Sequence, residues 1–93
     1  MIEKVVRLAN KYGLHMRPAQ GLMQIALQQQ CGIYIENNGT RADAKRIIEL
    51  ISLAAEGGQE VKVICEGDGE QESLEAIVQH IEQMPEIYDE ERI

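Results

Sequence analysis

The segment with the clearest chemical content is Gly13-Leu14-His15-Met16-Arg17-Pro18-Ala19. A glycine-containing loop runs into a helix here. Pro18 falls within the first turn, where the backbone donors have no intrahelical partner and a missing N–H costs nothing. That spacing puts His15 near the N-cap and turns the free amides of Met16 and Arg17 toward its imidazole. A helix N-terminus binds anions through such N–H groups and through the helix dipole. Arg17 adds a permanent charge and a forked donor suited to a phosphate. Neutral imidazole is a good nucleophile near neutral pH. Together these features predict a phosphate-accepting histidine at His15, with the group held by the amides of Met16 and Arg17 and by the Arg17 side chain. Phosphoryl transfer asks mainly for positioning and charge stabilisation. A carrier also needs an exposed site that donor and acceptor can reach in turn.

The other reactive side chains form no comparable cluster. His80 falls between Ile77 and Ile81, off the apolar face of the last helix, and is expected to be a solvated surface histidine. No ligand spacing joins it to His15, so no metal site is expected, and nothing calls for a cofactor. Cys31 and Cys65 fit neither a disulfide framework nor a zinc pattern and read as buried thiols in or beside strands. There is no carboxylate pair and no nucleophile–base dyad, which argues against an independent hydrolase.

The elements that must position His15 follow from periodicity. Glu3 to Leu8 is Val-rich and alternating, a first strand, and Asn10 to Gly13 reads as a loop. Ala19, Leu22, Met23, Ala26 and Leu27 then mark one buried face of a helix starting at Met16, with Gly32 as its C′ residue. Ile33 to Glu36 is a second strand. Asn38-Gly39 is a hairpin signal, and Thr40 to Ala42 returns as a third strand. Residues 44–55 are apolar at helical spacing up to Gly57-Gly58, and Glu60 to Glu66 is a fourth strand. Leu74, Ile77, Val78, Ile81 and Met84 mark a last helix ending before Pro85. The order β-α-β-β-α-β-α predicts an α+β open-faced sandwich, one sheet covered on one side. The organisation is one domain over 1–85 with an acidic tail over 86–93.

Composition bounds the function. A chain of 93 residues with no Phe or Trp and three Tyr must build an aliphatic core. It buries only about 60–65% of its unfolded surface, which leaves little room for a deep cleft, so a partner must supply much of the chemistry. Net charge is −7, but residues 1–47 carry seven basic side chains against three acidic, while 48–93 carry two against thirteen. The half holding His15 is therefore basic in an acidic protein, which bears on partner choice and association rate. The basic residues are scattered without an aromatic platform, so nucleic acid is not an expected partner. No apolar run reaches the roughly 18 residues of a membrane span and no signal peptide is visible, which implies a cytoplasmic protein with no membrane insertion.

The segment Gly13 to Ala19 resembles the active-site signature of HPr, the histidine-containing phosphocarrier family of the bacterial phosphoenolpyruvate:sugar phosphotransferase system. The resemblance continues through Asn38-Gly39, Asp43-Ala44-Lys45, Leu53-Ala54-Ala55, Gly58, Glu60 and Gly67, and covers about residues 2–85. It implies an HPr-like four-stranded antiparallel sheet covered on one face by three helices. It also implies that Nδ1 of His15 accepts a phosphoryl group from enzyme I, which takes it from phosphoenolpyruvate, and gives it to an EIIA-type acceptor, with Arg17 as the phosphate partner. Met16, Gln20, Ile47, Ile48 and Ile51 match the family's docking surface, and alternate docking suits a monomer. Arg46 stands where many Gram-positive members carry a regulatory serine, which excludes serine phosphorylation at that position. Met16 replaces a usual alanine, and Gln20, Gln24 and Glu49 replace small or basic residues of the docking face. These departures leave a regulatory or nitrogen-type branch open, or a partner-binding regulator that uses the Met16, Ile47 and Ile48 patch.

Overall fold

The computed structural model describes residues 1–89. The elements run β1 (Ile2–Arg7), α1 (Met16–Leu27), β2 (Gly32–Asn37), β3 (Thr40–Asp43), α2 (Ile47–Ser52), β4 (Glu60–Glu66) and α3 (Glu70–Tyr88). The strands form one antiparallel sheet in the order β1-β4-β2-β3, with the three helices on one face. The expected open-faced sandwich is therefore what the chain adopts.

Period-2 alternation divides the sheet. Val6, Ile33, Ile35, Val61, Val63 and Cys65 point into the core, where they meet Ala19, Leu22 and Ala26 of α1, Leu50 of α2, and Ile77, Ile81 and Met84 of α3. The open face carries ion pairs between Lys62 and Glu3 at 3.5 Å, and between Arg7 and Glu60 and between Arg41 and Glu36 at 3.6 Å each. The hairpin turns on Asn38 and Gly39, both at positive φ, as their types require. Both cysteines are buried free thiols. Burial pushes the Cys65 thiol up to about 12, with Cys31 beside it adding to the shift.

Four boundaries differ from the sequence expectation. Gly32 is the first residue of β2 rather than a helix C′ residue; α1 stops at Leu27, and its last carbonyls are taken by the N–H groups of Gln28 and Gln29. The second helix is short because 43–46 form a turn. There Asp43 accepts from the Lys45 N–H, Glu49 accepts from the Asp43 N–H, and Arg46 is extended. At its other end the chain leaves the helix through Ala54 at φ 53°, a conformation that only glycine would have advertised. The last helix does not end before Pro85 but runs on to Tyr88. Met84, fully buried, and Tyr88, packed on the core, hold the backbone helical across the proline. The expected acidic tail thus contributes 86–88 to α3, and 90–93 lie outside the described residues.

Leu22, fully buried between α1 and the sheet, tests this packing. Leu22→Ala is expected to lower stability by about 2–5 kcal/mol in urea denaturation, with the sheet retained.

Candidate functional site

The loop between β1 and α1 is folded against the segment that precedes β4. Gly13 lies at φ 69°, and a Cβ there would stand 2.2 Å from the Ala55 carbonyl oxygen. The next residue uses this closeness, since the Leu14 N–H donates to the same oxygen at 2.9 Å. From the other side, a Cβ on Gly57 would meet the carbonyl oxygens of Asn10 and Lys11 at 2.4 Å. Inside the loop, the buried Asn10 side-chain amide donates to the Gly13 carbonyl at 2.9 Å. Leu14 is buried as well, so the loop is pinned on both flanks before the helix begins.

His15 then emerges as the N-cap of α1, with extended backbone at φ −82° and ψ −174°. Its carbonyl accepts the first helical bond, from the Ala19 N–H at 2.9 Å. The amides of Met16 and Arg17 therefore precede the first helical donor, and Pro18 between them and Ala19 has none. The His15 side chain caps nothing and is exposed. It stands edge-on to Tyr12, with ring centroids 5.6 Å apart and planes at 83°. A shallow depression lined by Tyr12, Leu14, His15, Ile51, Ala54 and Glu56 opens beside it. The first turn of α1 holds no acidic side chain to repel an anion.

The predicted residues are brought together in part. His15 and the amides of Met16 and Arg17 share one helix end. The Arg17 guanidinium is exposed and lies over the Tyr88 ring, 5.8 Å from its centroid. Of the residues expected to dock a partner, Met16 is 55% and Ile48 70% exposed, and Gln20 is exposed. Ile47 and Ile51 are half-buried against the core, although Ile51 also reaches the depression beside His15. Arg46 is at the start of α2 and pairs with Glu49 at 3.6 Å.

His80 corrects an expectation. It is half-buried rather than solvated, because the end of α3 brings Tyr88 over it, with the hydroxyl 3.4 Å from Nε2. Desolvation pulls its pKa below the ordinary value and favours neutral imidazole. Tyr88 and Asp89 are also new to the site. Asp89 takes the Lys11 N–H with both carboxylate oxygens at 2.8 Å, which fastens the end of α3 to the loop before His15. The sequence held no sign of this contact, since Pro85 suggested that the helix stopped. No group of three metal-ligating side chains occurs among the described residues, and none of their helices is long and apolar enough to cross a membrane.

Known proteins share both the sequence and the fold. A family model described as "PTS HPr component phosphorylation site" matches residues 2–83. The HPr-like protein Crh of Halalkalibacterium halodurans is 42% identical over 82 residues, 88% of this chain and 98% of that protein. The phosphocarrier protein NPr of Escherichia coli K12 is 31% identical over 78 residues, 83% and 87% of the two chains. A crystal structure of HPr from Thermoanaerobacter tengcongensis superposes with a TM-score of 0.88 at 36% identity, covering 99% of this chain and all of that one. The chain belongs to the HPr family of phosphocarriers.

Two expectations follow. Gly13→Ala forces a side chain into the Ala55 carbonyl and into a left-handed backbone. It should cost more than about 1 kcal/mol in urea denaturation and slow any phosphorylation of His15. For His80 the unfolded chain takes up a proton near the ordinary histidine pKa, whereas the folded chain resists it. Its contribution is therefore complete above that value and is lost as pH falls. The urea midpoint should rise from about pH 5 to 7, and His80→Gln should flatten that rise.

Proposed function

We propose that this HPr-family chain takes a phosphoryl group from phospho-enzyme I onto Nδ1 of His15 and delivers it to an EIIA-type acceptor. The carrying observation is an exposed N-cap histidine beside two amides that no helical bond uses, with Arg17 in the same turn. In the forward step the Nδ1 lone pair attacks phosphorus in line while the bond from phosphorus to enzyme I breaks. The resulting anionic group is held by the Met16 and Arg17 amides and the guanidinium. In the second step the acceptor's nucleophile attacks and the imidazole leaves as the neutral base. The chain supplies placement and charge, and the potential comes from phosphoenolpyruvate by way of enzyme I. It needs no cofactor, works in the cytoplasm, and acts as a monomer because donor and acceptor must use one face in turn.

Docking is assigned to the exposed apolar pair Met16 and Ile48, with Gln20 at the edge and Ile47 and Ile51 supporting from below. The half of the chain that holds His15, Met16 and Gln20 is basic in an acidic protein, so association should weaken with salt.

A second reading has its own support. The bulky Met16 beside His15 and the resemblance to an HPr-like Crh and to NPr favour a regulatory or nitrogen-type branch over sugar uptake. Arg46 at the start of α2 leaves no hydroxyl there for control by phosphorylation.

Incubation with labelled phosphoenolpyruvate and enzyme I should give one acid-labile, base-stable phosphate per chain. His15→Ala should abolish it, and a label that survives would overturn the assignment. Arg17→Ala should slow transfer by about ten- to a hundredfold, the worth of a charged hydrogen bond.

A further inference from the structure

Three features of the molecule converge on one side chain that the phosphocarrier reading does not use. Tyr88, on the last turn of α3, is half-buried and directed at α1. The middle of α1 carries a glycine, Gly21, where an alanine would favour the helix. A Cβ at that position would lie 1.7 Å from the Tyr88 hydroxyl oxygen and 2.9 Å from its ring. The glycine thus leaves a notch that the tyrosine fills. His80 lines the same notch, with its Nε2 3.5 Å from that Cβ position and its ring 6.0 Å from that of Tyr88, inclined at 70°. Desolvation in this seat raises the phenol pKa, and the Arg17 cation, which favours the phenolate, opposes the rise.

The third neighbour is Arg17, whose guanidinium lies over the Tyr88 ring. Arg17 is exposed, and among the described residues no carboxylate pairs with it. An exposed arginine loses rotamer freedom when a ligand fixes it. A ring against the guanidinium face removes part of that freedom in advance. It also leaves the N–H fork, which lies in the guanidinium plane, available to a phosphate. Face and edge can therefore be engaged together. Asp89, bound to the Lys11 N–H, holds the helix end that carries Tyr88.

We propose that Tyr88 is a positioning residue for phosphoryl transfer: seated against Gly21 and His80, it orders the Arg17 guanidinium for the phosphate on His15. This rests on the phosphocarrier reading for its kinetic consequence, but the ordering of Arg17 does not require phosphorylation.

The test uses the full chain and phospho-enzyme I in rapid-quench assays at varied carrier concentration, with NMR of the Arg17 side chain alongside. Tyr88→Leu should lower kcat by about two- to fivefold with KM unchanged, the range of an exposed cation–π contact. It should also erase the ring-current shift of the Arg17 side-chain protons. Tyr88→Phe should restore both, since the ring face and not the hydroxyl meets Arg17. Gly21→Ala should reproduce the Tyr88→Leu result by expelling the ring while favouring the helix, which separates the effect from misfolding. In an Arg17→Ala background, Tyr88→Leu should have no further effect. A wild-type kcat for Tyr88→Leu, a rise in kcat, or an equal loss with and without Arg17 would overturn the proposal. If the wild-type chain takes no phosphate, the carrier reading fails, and the ring-current shift alone then decides whether Tyr88 orders Arg17.

Discussion

The site depends on the contact between Gly13 and the Ala55 carbonyl. The peptide after Gly13 hydrogen-bonds that oxygen while Gly13 itself presses flat against it, which only a residue without Cβ in a left-handed backbone can do. The contact ends the loop at a fixed place and direction. One residue later the chain is extended, and one residue after that it is helical, so His15 is the N-cap as a matter of backbone geometry. Its chemistry then needs little else. On the proposed reading, a pair of amides, a helix dipole and one arginine form an anion site at the surface, beside a shallow depression that Tyr12 and Glu56 also line.

The same economy explains how much was legible in the sequence. Hydrophobic periodicity and one hairpin dipeptide revealed the order of elements, because the aliphatic residues are spaced at 2.0 or 3.6 and little else competes for the core. The helix N-terminus was legible because Gly13 and Pro18 bracket His15 with opposite backbone demands. Less visible was whatever depends on contacts between distant segments. The turn at 43–46 rests on Asp43 and Glu49 accepting main-chain N–H groups, and α2 ends on an alanine in a left-handed conformation. Neither leaves a compositional mark.

The misreadings of Pro85 and His80 share one cause. A proline lowers helix propensity locally, but a fully buried Met84 on one side and Tyr88 docked on α1 on the other outweigh it. Once α3 continues, its end covers His80 and reaches Lys11 through Asp89. A single tertiary gain thus changed the helix length, the exposure of a histidine and the surroundings of Arg17. Gly21 was the one residue that could have hinted at this, as a glycine in the middle of an otherwise well-formed amphipathic helix.

The measurement that bears most directly on the account is NMR of the nitrogen-15-labelled chain before and after phosphorylation by enzyme I and phosphoenolpyruvate. Phosphorus coupling to Nδ1 of His15 is expected, with downfield amide shifts concentrated at Met16 and Arg17, where the unused donors of α1 meet the new anion. Phosphate on another side chain, or on His15 with the Met16 and Arg17 amides unmoved, would contradict it.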